Sequence, residues 1–134
     1  MFDLSRLAVL NYGNNSEGQS LREELEATGY RVMELSGDSI TDQRSLFEAV
    51  SKDWLQGEQV ENWSGLEDSL RNALLDRREL KIALVWTSTH QMLNGALADL
   101  VTFLDILTRI SRGFYSDDRL LVTFLLGEGD NFRS

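Results

Sequence analysis

Residues 61–70, ENWSGLEDSL, set three carboxylates, Glu61, Glu67 and Asp68, around a tryptophan and two leucines. Carboxylates with no histidine or cysteine beside them do electrostatic work. They either meet a cation on another molecule or lie on a solvated helix face. At helical spacing Asp68 falls about 200° around from Leu66, so its carboxylate points away from the buried stripe, with Arg71 on the same side. Ser64 and Glu67 fit an S-x-x-E capping box, which would turn Glu67 back onto the helix N-terminus. Trp63, just before that box, is either a staple into the core, the reading its average burial favours, or an exposed binding aromatic.

Other chemistry finds less support. GNNSEGQS, residues 13–20, spells G-x-x-x-x-G between an apolar run and a helical one, but Gln19 stands where a phosphate loop needs lysine. Glu17 inside that loop would repel a phosphate, and Gly and Asn are what any strand-to-helix turn uses. His90 is the one histidine and cysteine is absent, so a metal would rest on carboxylates alone. Ser88 and His90 in one loop make no nucleophile and base without geometry. Asp117-Asp118 reads as turn chemistry. No catalytic residue, cofactor or metal is expected.

The formal net charge is −9, with six acids (Asp53, Glu58, Glu61, Glu67, Asp68 and Asp76) against Arg71 in residues 53–76. Such a field repels nucleic acid and anionic membrane and favours a basic protein partner. Lack of cysteine fits a reducing compartment. The first residues carry one basic side chain and no sustained apolar stretch, so neither a signal peptide nor a membrane span is expected, and the location expected is cytoplasmic.

Around these residues the chain alternates short apolar runs with helical periodicity. LAVLN (7–11), RVMELS (31–36), KIALVW (81–86) and LLVTFLL (120–126) read as strands, the last two covered on both faces. Leu21 and Leu25 lie at helical spacing in a segment that stops at Gly29. Leu46, Phe47, Val50 and Trp54 mark a second helix, with Thr41 or Ser39 as its cap. Leu66, Leu70, Ala73 and Leu74 stripe the acidic helix, and residues 96–112 form the longest helical run, ending at Gly113. The pattern predicts a single α/β domain: a small, mostly parallel four-stranded sheet packed with helices.

NWSGLEDSL (62–70), the strand KIALVW, the helix carrying LVTFLDIL and the final apolar strand resemble the barstar family of ribonuclease inhibitors, from about Tyr30 to Leu126. The resemblance implies a barstar-like domain over 30–126, preceded by a βα extension of the same domain (1–29) and followed by a polar tail (127–134). The added strand is expected beside the Arg31–Ser36 edge. It implies too that the chain blocks a basic ribonuclease or nuclease toxin with an acidic helix-and-loop surface. By position Asp68 matches the aspartate that enters the partner's phosphate pocket, Asn62 a loop asparagine, and Asp105 a second acidic contact on the later helix. Glu61, Ser64, Glu67 and Arg71 complete the expected partner-binding set. Ser64 replaces a contact aspartate, Glu67 a tryptophan and Arg71 a neutral residue, while Val60 and Glu58 replace a glycine and a tyrosine of the loop. Those departures point to a partner different from the family's own. Two alternatives stay open: a nucleotide- or flavin-binding domain using the Gly13–Ser20 loop, and a protein-interaction domain without inhibitory function.

Overall fold

A computed structural model describes residues 2–132 of the chain. Its strands are β1 (Leu10–Asn14), β2 (Arg31–Ser36), β3 (Lys81–Thr87) and β4 (Leu120–Gly127). Five helices connect them: α1 (Gly18–Ala27), α2 (Gln43–Trp54), α3 (Trp63–Asp76), α4 (His90–Gly95) and α5 (Leu97–Ser116). All strand pairs are parallel, in the order β1-β4-β3-β2. The α/β expectation holds.

Topology explains the layering. From β1 the chain crosses the whole sheet to β2, then returns through β3 and β4. Right-handed crossovers in opposite directions place helices on opposite faces. Leu21 and Leu25 of α1 therefore pack with Ala83, Val85, Val122, Phe124 and Leu126 on one face. Helices α2, α3 and α5 bury Leu46, Val50, Leu66, Leu70, Phe103 and Ile110 against Leu35, Leu84 and Trp86 on the other. Both faces of β3 and β4 are covered, hence their unbroken apolar runs.

The added strand lies elsewhere than expected. β1 pairs with β4, Leu10 opposite Thr123 and Asn14 opposite Gly127, and leaves β2 as the other edge. The reason lies in the two candidate neighbours. β2 alternates burial, with Arg31, Glu34 and Ser36 exposed, as an edge strand does. Seven of the eight residues of β4 are buried, so it needs a neighbour on each side. The strand also starts three residues later than the run 7–11 suggested. Asn11, already in that run, pairs with Phe124, and its side-chain amide donates to Thr123 O (3.2 Å) and Ala8 O (2.8 Å). Leu7 packs instead with the α1-side core.

Smaller corrections concern the helices. Asp42, rather than Thr41 or Ser39, caps α2: its Oδ1 accepts from Ser45 N at 2.8 Å. α5 runs through Gly113 to Ser116, and the loop expected around His90 contains α4. Gly29 ends α1 as expected, at φ +90°. Gly37, after β2, has another reason: a Cβ there would lie 2.2 Å from the backbone oxygen of Thr87. In the expected polar tail, Phe132 is buried and packs edge-on against His90, centroids 6.4 Å apart.

Candidate functional site

Helix α3 is fixed at both ends and along one flank. Asn62 is its N-cap, in extended backbone conformation, with its Oδ1 accepting from Gly65 N at 2.7 Å. At the other end the Arg119 guanidinium donates to Leu74 O, a carbonyl the last turn leaves unpaired, and to Arg77 O (2.6 Å) and Glu79 O of the turn that follows. Trp63, the first residue of the helix, packs against the core, meeting Phe47 of α2 edge-to-face at 4.9 Å. A helix held in this way presents its outer side chains from a rigid base.

The S-x-x-E capping box does not form. Asn62 takes the cap, and Glu67 reaches sideways to α5. Its carboxylate accepts from Arg109 Nη2 (2.6 Å) and Nε (3.2 Å), and from Arg71 Nη2 (2.6 Å) one turn along α3. The Arg109 hydrogen bond is the first cause that holds the Glu67 carboxyl at about 2, below its ordinary 4.5. Burial opposes that shift, and Arg71 adds to it. With a side chain only 18% exposed, Glu67 links α3 to α5. Its carboxylate is engaged within the fold.

Asp68 behaves differently. Its side chain is 73% exposed, with Arg71 Nη1 3.8 Å away. Asp105 is exposed on α5, where its charge acts on Arg109 four residues on. The two expected contact aspartates thus flank one row: Asp68, Arg71, Glu67, Arg109, Asp105. Glu61 and Ser64 are exposed at the start of α3, and Asn62, though exposed, has its oxygen committed to the cap.

Beside this row the loop 55–62 is folded, not loose. Leu55 is buried, Gly57 N donates to Ser51 O at 2.8 Å, and Ser51 Oγ donates to Glu58 O. Between loop and helix opens a cleft of about 520 Å³, walled by Gln56 and Glu58 on one side and by Asp68, Asn72 and Asp76 on the other. A second groove, about 820 Å³, follows α2 over Phe47 and Val60, with Arg44, Lys52, Glu48 and Glu61 on its rim. Helix and loop thus form an indented surface, acidic in the cleft beside Asp68 and of mixed charge along α2. Sequence reasoning missed Gln56 as lining and Arg109 as a clamp. No local pattern carries the clamp, because Glu67 and Arg109 lie 42 residues apart.

The other candidates are occupied by the fold. In the Gly13–Ser20 loop Asn14 Oδ1 accepts from Ser16 N (2.9 Å), and Glu17 Oε1 accepts from Asn14 N (3.2 Å). Asn15 Oδ1 accepts from Ser88 N (2.9 Å), and Ser88 Oγ donates to Asp38 Oδ1 (2.7 Å), closing a clasp between the loops after β1, β2 and β3. His90 Nδ1 accepts from Glu128 N at 3.1 Å. Among the described residues no cluster of three or more His, Asp or Glu is placed to hold a metal ion. Nor is any helix there long and apolar enough to cross a membrane.

The family model described as Barstar (barnase inhibitor) matches residues 30–126, from the residue before β2 to the last residue but one of β4. The chain belongs to the barstar family. That span contains α2, the loop 55–62, α3 and α5, so all of the surface just described lies within it. No curated protein matches the chain in sequence. Among solved structures, the fold is similar to a chain of Drosophila ORC bound to AT-rich DNA and Cdc6, with TM-score 0.53 and 17% identity. That match covers 94% of this chain and 42% of the other. A chain of Drosophila ORC bound to DNA gives TM-score 0.52 and 16% identity, covering 93% of this chain and 69% of that one. The chain spans less than half the length of the first of these. At such identities the likeness is one of fold alone.

Proposed function

We propose that this barstar-family chain is a protein inhibitor of the immunity or antitoxin type, acting in the cytoplasm. It covers the active site of a basic ribonuclease or related nuclease toxin with α3 and the loop 55–62. It does no chemistry of its own and uses no cofactor. Residues 1–29 are an extension of the same domain that completes the sheet. The carrying observation is Asp68: an exposed carboxylate on a braced helix, bordering an acidic cleft, at the family's contact position.

Physically, a nuclease that binds phosphates must gather cations in its active site, and carboxylates can take the places of the phosphates. Asp68 is the anchor, Asp105 and Glu61 add charge around it, and the cleft beside Asp68 accepts a basic side chain. Asn62, Ser64 and Arg71 border the same contact, while Glu67 contributes by holding α3 against α5. Inhibition of purified basic ribonucleases, barnase included, tests the reading directly. RNA cleavage should fall in proportion to added chain until a one-to-one ratio is reached. If every enzyme of such a panel keeps full activity at a large excess of the chain, the inhibitor reading is wrong.

A further inference from the structure

The guanidiniums beside Asp68 carry a second consequence for that surface. Exposed arginines usually sample many rotamers, so their charge is spread and weakly felt. Here one carboxylate pins two of them. Arg109 binds Glu67 through both Nε and Nη2, Arg71 binds it at 2.6 Å, and their side chains are still 52% and 37% exposed. Glu67 is mostly covered, whereas Asp68 and Asp105 lie open at the ends of the row. An approaching surface therefore meets a fixed sequence of charges: negative, positive, positive, negative.

We propose that Arg71 and Arg109 are specificity determinants of this face. They select a protein partner that sets carboxylates between two cationic groups, and they exclude one that is uniformly cationic there. The inference rests on the inhibitor reading above and names the charge pattern of its partner. A cation forced against either guanidinium is repelled, and it also competes with Arg71 for Asp68. Repulsion of this kind discriminates between partners that a wholly acidic face would accept alike.

Two synthetic probes test it: octalysine, and the same peptide with its two central lysines replaced by glutamates. Each is titrated into the full chain while the backbone amides of α3 and α5 are followed by NMR. Arg71→Gln leaves Arg109 tying Glu67 to α5, whereas Arg109→Gln leaves only the Arg71–Glu67 pair within α3, so urea midpoints check the fold of both variants. Arg6→Gln removes the same charge from the exposed N-terminal segment and controls for net charge. Each of the first two variants should shift the ratio of the two peptide affinities about fivefold toward octalysine, the size of one contact between unit charges in water. Arg6→Gln should leave the ratio unchanged. An equal ratio in all forms, or a shift the other way, overturns the proposal, while octalysine perturbing α3 would leave the inhibitor reading standing. If neither peptide moves an α3 amide in any form, both fail.

Discussion

Glu67 shows how one side chain can leave the role its sequence position suggests. S-x-x-E spacing invites a capping box, yet Asn62 already satisfies Gly65 N, and two guanidiniums offer the carboxylate more than one backbone N–H does. The consequence is measurable through pH. The folded Glu67 carboxyl titrates at about 2 against an ordinary 4.5, so its contribution to stability is fully present above about pH 4.5. That contribution fades as pH falls toward 2, where the folded carboxyl itself takes up a proton. Replacement by glutamine should therefore lower stability by about 1 kcal/mol at neutral pH. Urea midpoints of wild type and Glu67→Gln, compared between pH 7 and pH 2.5, should converge as the acid is reached. A gap that is constant across the range would contradict the clamp.

At the scale of elements, the apolar runs were enough to locate β3 and β4, because strands buried on both faces leave little choice of residue, and β2 was found by its alternation. The first strand was harder to read. Gly13 and Asn14 look like turn chemistry, and what makes them strand is pairing with Leu126 and Gly127 at the far end of the chain. Its place in the sheet was legible in principle, since RVMELS alternates as an edge does and LLVTFLL does not. In the candidate site the outward direction of Asp68 followed from helical periodicity alone. The Arg109 clamp and the Arg119 anchor did not, because both depend on how α3 meets segments far away in sequence. For the helix itself, Asn62 should matter more to folding than to contact. Asn62→Ala should cost about 1 kcal/mol, the usual loss for an N-cap, read as a lower thermal midpoint. Asn62→Ser, which can still cap, should restore most of it; equal losses in the two variants would argue against the cap.

The whole molecule is a sheet with unequal covers: three long helices on one face, and α1 with the N-terminal segment on the other. Phe2, Leu4, Leu7, Leu21 and Leu25 together shield Ala83, Val85, Val122, Phe124 and Leu126. Removing residues 1–29 would expose that face and unpair β4, and would break the Asn15–Ser88 clasp. A fragment beginning at Tyr30 should lose cooperative urea unfolding and bind a hydrophobic dye; a fragment as stable as the full chain would show the extension to be dispensable. On the opposite side of the sheet the same architecture braces α3 and leaves Asp68 open, and the account depends most on that residue. As a surface substitution, Asp68→Ala should change stability by only about 0.5 kcal/mol in either direction. In a complex it would leave the partner's cation buried and unpaired. Binding should then weaken by about 2 kcal/mol or more, on a scale to which barstar-family complexes themselves contribute. The direct measurement is the affinity of wild type and Asp68→Ala for a ribonuclease that the chain inhibits, taken beside their urea midpoints. Equal midpoints with a large loss of affinity are the result predicted; equal affinities would contradict the claim and return Asp68 to an ordinary solvated helix face.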